Sequence, residues 1–131
     1  CHTTLAVILG TALINKGYKV RFITMQSLLD IFINFEAKEE ETKRLHTNDV
    51  IIIDDAFDMS RCVAMSNYKQ GTMFSFINEF LNQNKHFICT SCTSIADMDS
   101  SFIQIKTLLL RSKIELELRG DITNLVRRVR I

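Results

Sequence analysis

Proline is missing from the 131-residue chain and glycine occurs only four times, which excludes a Pro/Gly-rich linker and a collagen-like repeat. An excess of either charge is missing too. Sixteen Lys+Arg stand against fifteen Asp+Glu, a formal net charge of +1, so no bulk field announces a nucleic-acid or membrane partner. The longest apolar run, residues 5–14, is interrupted by Gly10 and Thr11 and is about half the roughly twenty residues that span a bilayer. It carries no basic leader and no cleavage site, so it does not read as a signal peptide. Four cysteines (Cys1, Cys62, Cys89 and Cys92) are sparse for a disulfide framework and suit the reducing cytosol, so a cytoplasmic location is expected. An initiator methionine is lacking as well: the chain opens on Cys1, and the natural protein is expected to begin upstream. What remains is ordinary. Hydrophobic residues at 47% and charged residues at 24% describe one globular domain and leave no place for a disordered tail or a coiled coil.

Helical and strand patterns alternate along the chain. Leu5, Ile8, Leu9, Ala12 and Leu13 recur at helical spacing and predict a helix over 3–16, stopped by Gly17. A β-branched and aromatic strand over 19–24 follows, then a helix over 26–41 whose buried side is Leu28, Leu29, Phe32, Ile33 and Phe35. The mixed-sign run 36–44 reads as a solvated helix end, and His46 as a surface residue. Val50-Ile-Ile-Ile53 is a continuous β-branched run of the kind found in a central parallel strand buried on both faces. Residues 56–69 are irregular by pattern, 71–84 helical, 86–91 a strand, 102–110 helical and 113–118 an alternating strand. Gly120-Asp121 breaks the chain, and Asp121 is placed to cap a terminal basic helix. Strands alternating with helices predict an α/β domain with a mainly parallel sheet.

Two segments carry chemistry. The apolar strand 50–53 ends on Asp54-Asp55, which puts carboxylates at the C-terminal edge where open α/β sheets bind ligands. One such acid can hold Mg²⁺ while its neighbour polarises an attacking water, although two aspartates can also simply begin a turn. The second segment is Cys1-His-Thr-Thr-Leu-Ala6, which opens a helix as the end of a phosphate-binding P-loop does. In that register Thr3 supplies a Mg²⁺ hydroxyl and the surrounding backbone N–H groups face phosphates. The plainer alternative makes Thr3 or Thr4 an ordinary helix cap. His86-x-x-Cys89-x-x-Cys92 suggests a metal half-site, yet strand alternation separates its members and no second pair lies nearby. Cys62 has no sequence-local activator and reads as a loop or core thiol. Three arginines in 125–131 could meet DNA phosphates or an acidic partner, or could belong to an amphipathic helix.

Taken together these segments resemble the AAA+ ATPases of the bacterial helicase-loader group (DnaC-like), with the IstB-like transposition helpers and the DnaA-like replication initiators. The likeness runs through Thr3-Thr4-Leu5-Ala6, Gly17-Tyr-Lys-Val-Arg-Phe-Ile-Thr24, Val50-Ile-Ile-Ile-Asp-Asp55 as Walker B, Phe76-Ile-Asn-Glu79, the strand 86–91 as sensor 1, and 108–121. The resemblance implies a parallel-sheet P-loop NTPase core over 1–120 that lacks its first central strand, and a lid or C-terminal helix starting within 121–131. It implies ATP and Mg²⁺ as cofactors, with Cys1, His2, Thr3, Thr4, Ser91 and Cys92 around the nucleotide and Thr3 and Asp54 on the metal. Asp55 would assist the water, and Arg111 would reach a neighbouring subunit's γ-phosphate. The implied partners are a replicative helicase or another replication or transposition protein, single-stranded DNA and further copies of the chain, without a membrane.

Several positions depart from the pattern. His2 stands at the loop lysine, Cys1 at a glycine, and Cys92 at the sensor-1 asparagine, while Arg111 is out of register with the usual Ser-Arg-Leu. These departures bear on ATP hydrolysis, which would need a P-loop completed upstream, and not on the fold. They define a second class of function, a degenerate nucleotide-binding fold serving as a protein-interaction module. A flavodoxin-like signalling domain also places acids at a strand end, but it requires an acidic pocket where this helix opens with His-Thr-Thr.

Overall fold

The computed structural model describes residues 2–33, 38–54, 56, 67–91, 106–107, 110, 115–117 and 128–130. The elements among them are α1 (His2–Asn15), β1 (Val20–Thr24), α2 (Met25–Ile33), α3 (Lys38–His46), β2 (Val50–Asp54), α4 (Asn67–Asn82), β3 (His86–Cys89), β4 (Glu115–Glu117) and β5 (Arg128–Arg130). The first three strands form a parallel sheet in the order β1-β2-β3. Register sets Thr24 beside Asp54 on one side of β2 and Cys89 beside Ile53 on the other.

Central placement buries Val50–Ile53 completely, as a continuous β-branched run requires. Alternation along β2 then divides the core. Ile51 and Ile53 pack with Ile23, Leu28, Phe32, Leu45, Met73, Phe76 and Phe80 on the side of α2 and α4. Val50 and Ile52 pack with Ala6 of α1, and Leu13, Val20 and Ile88 close around them. Each fully buried isoleucine contributes about 2 kcal/mol of apolar transfer, which makes β2 the anchor of both layers.

Helix α1 lies close on its sheet face because Gly10 has no side chain. A Cβ there would stand 2.1 Å from the Phe22 ring and 3.0 Å from Ile52 Cδ1. The helix ends in a Schellman motif: Gly17 takes φ +95°, its N–H donates to the Ile14 carbonyl at 2.9 Å, and the Tyr18 N–H donates to the Leu13 carbonyl at 3.1 Å. At this same edge of the sheet Asp49 ties the strand starts together. Its carboxylate accepts from the Lys19 N–H at 2.8 Å, and its carbonyl accepts from the His86 N–H at 3.0 Å.

The fold is the mixed α/β, parallel-sheet core that the alternation of patterns predicts, with several local corrections. The helix expected over 26–41 is two helices, α2 and α3. Helix α3 places Glu39, Glu40 and Glu41 in its first turn and Lys43 and Arg44 in its last, as its dipole favours, and docks on the core through Leu45. His46 is half-buried, not a surface residue: its ring packs 5.1 Å from that of Phe76, and its Nδ1 lies 2.9 Å from Gln83 Oε1. Helix α4 begins at Asn67, four residues before the expected start. Of the expected terminal helix only residues 128–130 are described, and these form a strand paired antiparallel with Glu115–Glu117. The register places Arg130 opposite Glu115 and Arg128 opposite Glu117. Of the helix expected over 102–110, only residues 106, 107 and 110 are described, and these are helical. Among the described residues no helix is long and apolar enough to cross a membrane.

Candidate functional site

Three parallel strands ending at the same level bring their last residues into a row. Thr24 ends β1, Asp54 ends β2, and Thr90 follows β3 directly. Thr24 is committed locally, because its hydroxyl accepts from the Ser27 N–H at 3.1 Å and so caps α2. Asp54 and Thr90 face the layer that holds α1, the side set by Ile52 and Ile88.

The first turn of α1 meets this row. The Thr3 hydroxyl donates to Asp54 Oδ2 at 2.8 Å, a contact between residues 51 positions apart. The Thr90 hydroxyl donates to Asp54 Oδ1 at 2.5 Å. Both carboxylate oxygens are therefore engaged by hydroxyls, one from a helix N-terminus and one from a strand end. Hydrogen bonds of this kind stabilise the ionised carboxylate, and the positive end of the α1 dipole does the same. Main-chain bonds fix the frame: the Thr90 N–H donates to the Ile53 carbonyl at 3.0 Å, and the Ala56 N–H donates to the Thr90 carbonyl at 2.7 Å.

Thr3 and Asp54, the two residues expected to share a metal, are thus brought together. Thr4 is exposed in the same first turn of α1, and Ser91 is half-buried just beyond Thr90. His2 opens α1. Cys1, Asp55, Cys92 and Arg111 lie outside the described residues. Thr90 is the residue that sequence reasoning missed. Its signal was available: a hydroxyl one position past the strand that neighbours the acid-bearing strand in a parallel sheet. The half-site His86-x-x-Cys89 is divided by alternation, with His86 exposed and Cys89 packed against the α2/α4 core. Burial pushes the Cys89 thiol up to about 12.

Compared with protein-family models, residues 2–130 match the one described as Novel STAND NTPase 3. The chain belongs to this STAND NTPase family. A search of curated proteins gives no match. Among solved structures, this STAND NTPase chain is similar to AMPPCP-bound DnaA from Aquifex aeolicus, with a TM-score of 0.63 at 15% identity over 81% of this chain and 34% of that one. It is also similar to a DNA replication initiation factor, with a TM-score of 0.61 at 15% identity over 79% of this chain and 33% of that one. The STAND NTPase chain spans about a third of the length of each. At this identity the likeness is one of fold, a P-loop NTPase core, and the Thr3–Asp54–Thr90 cluster sits at the C-terminal edge of its sheet.

Proposed function

We propose that this STAND NTPase chain binds ATP together with Mg²⁺, and that the bound state governs its assembly with other copies and with a partner in DNA replication. The observation that carries the reading is the 2.8 Å contact between Thr3 and Asp54 at the start of α1. A hydroxyl and a carboxylate are hard oxygen donors, the type Mg²⁺ takes beside substrate phosphates, so the residues present fit the ion. Thr3 and Asp54 would hold it. Bound Mg²⁺ neutralises charge on the phosphoryl oxygens. The N-terminal turn of α1, with His2 and Thr4 beside Thr3 and Cys1 before it, would receive phosphates through its backbone N–H groups and its dipole. In the same reading Asp55 assists the water, Ser91 and Cys92 flank the nucleotide, and Arg111 serves a neighbouring subunit.

The finer form of the proposal is helicase loading on single-stranded DNA, with transposition assistance as its near relative. Its support is that one similar solved structure is named as a DNA replication initiation factor and the other as DnaA, one of the groups the sequence resembles. A second reading rests on His2, which stands where a P-loop has lysine: a non-hydrolysing fold that serves as an interaction module.

Nucleotide binding with and without Mg²⁺, together with phosphate release from ATP, separates the two, since binding without release marks the non-hydrolysing fold. The ATPase reading expects Mg²⁺ to strengthen ATP binding, and D54N or T3A to weaken the Mg²⁺-dependent part by about tenfold or more. Absence of any Mg²⁺-dependent binding by the wild-type protein overturns it in favour of the interaction module. Co-sedimentation with a replicative helicase, stimulated by ATP, tests the finer form.

A further inference from the structure

The two hydroxyls on Asp54 are not equivalent. Thr3 belongs to α1 and to the proposed metal site itself, whereas Thr90 comes from the end of β3 and reaches Asp54 from the neighbouring strand. Thr90 also grips the main chain on both sides of that aspartate, giving its N–H to Ile53 and taking the N–H of Ala56. Three hydrogen bonds from one residue thus span positions 53–56. The side-chain bond, at 2.5 Å and part-buried, has the length of a charge-assisted O–H···O⁻ contact.

A carboxylate that rotates freely offers a cation either oxygen and pays to be ordered on binding. With Oδ1 held by Thr90, Asp54 presents Oδ2 toward Thr3 before any ligand arrives. We infer that Thr90 is a positioning residue: it orients Asp54 for a divalent cation shared with Thr3, and does so through the carboxylate, not through the attacking water. The inference rests on the Mg²⁺–nucleotide reading of this site. Thr90, whose hydroxyl binds the acid, takes a strand-end role beside Ser91 and Cys92, where the resemblance puts it.

The test is a Mg²⁺ titration of ATP-analogue binding by the wild-type protein and by T90V, T90A and T90S, with melting temperature recorded for each. T90V keeps the branched shape and removes the hydroxyl, and T90A removes it with less bulk. For both, the Mg²⁺ concentration giving half-maximal binding is expected to rise about tenfold or more. T90S is expected to restore the wild-type requirement to within about twofold. A folded T90V or T90A with the wild-type Mg²⁺ requirement overturns the inference and leaves the nucleotide-binding reading standing. So does a folded T90S as defective as T90V. Loss of Mg²⁺-dependent binding in the wild-type protein overturns both readings at once.

Discussion

Cys89 directly precedes Thr90 of the proposed site but lies on the opposite face of the sheet, and its chemistry is set by burial. The thiol is raised from 9.0 to about 12 because the core disfavours the thiolate. At pH 8 only about one thiol in ten thousand is then ionised, so Cys89 should resist alkylation in the native protein and react on unfolding. Peptide mapping after labelling checks this, and rapid native labelling of Cys89 would contradict it. The same shift has a stability consequence whose sign is fixed. The unfolded thiol loses its proton above 9.0 while the folded one keeps it to about 12. The stability that Cys89 contributes is therefore complete below pH 9.0 and is lost as the pH rises toward 12. Denaturant melts of wild type and C89S should show a steeper alkaline decline for wild type. Thr3, Asp54 and Thr90, by contrast, are polar groups that face one another and are joined by hydrogen bonds.

Among the elements, α3 separates what charge contributes from what burial contributes. Its Lys43–Glu39 pair at 3.5 Å and its Arg44 pairs with Glu40 and Glu41, at 3.3 and 3.0 Å, are largely exposed, and pairs of this type are worth roughly 0.5 kcal/mol or less. Leu45, its one buried residue, is 2% exposed and joins the α2/α4 core. Urea melts should show E39A within about 0.5 kcal/mol of wild type and L45A destabilised by about 3 kcal/mol. Equal losses for the two would mean that the charged face carries the helix. Element legibility follows the same division. The apolar periods of α2 and α4 and the β-branched run of β2 mark buried faces where the patterns indicate, whereas α1 buries Ala6 and leaves Ile8 and Leu9 exposed. The break between α2 and α3 and the strand at Arg128–Arg130 were not legible, because short polar or alternating segments take the conformation that their neighbours offer.

For the whole molecule, the cluster on Asp54 joins three elements that sequence separates widely: the first turn of α1, the end of β2 and the residue after β3. A ligand that binds there engages all three in the folded state alone. Saturating ATP with Mg²⁺ should raise stability by about 2.7 kcal/mol at one hundred times its dissociation constant. The rise should shrink when EDTA removes the metal. Calorimetric melts at several ATP concentrations check this, and a melting temperature indifferent to ATP with Mg²⁺ would count against the proposed site. The sequence by itself determined the α/β class, the buried central strand and the candidacy of Thr3 and Asp54, because periodicity reports burial and residue type reports donor chemistry. Only the tertiary structure decided that these two residues meet and that Thr90 completes the cluster. The physical reason is that strand order and register are set by packing among distant segments, and register alone brings Thr90 level with Asp54. The scarcity of glycine also takes on meaning in the fold. One of the four lets α1 lie close against Phe22 and Ile52, and another turns the chain out of α1.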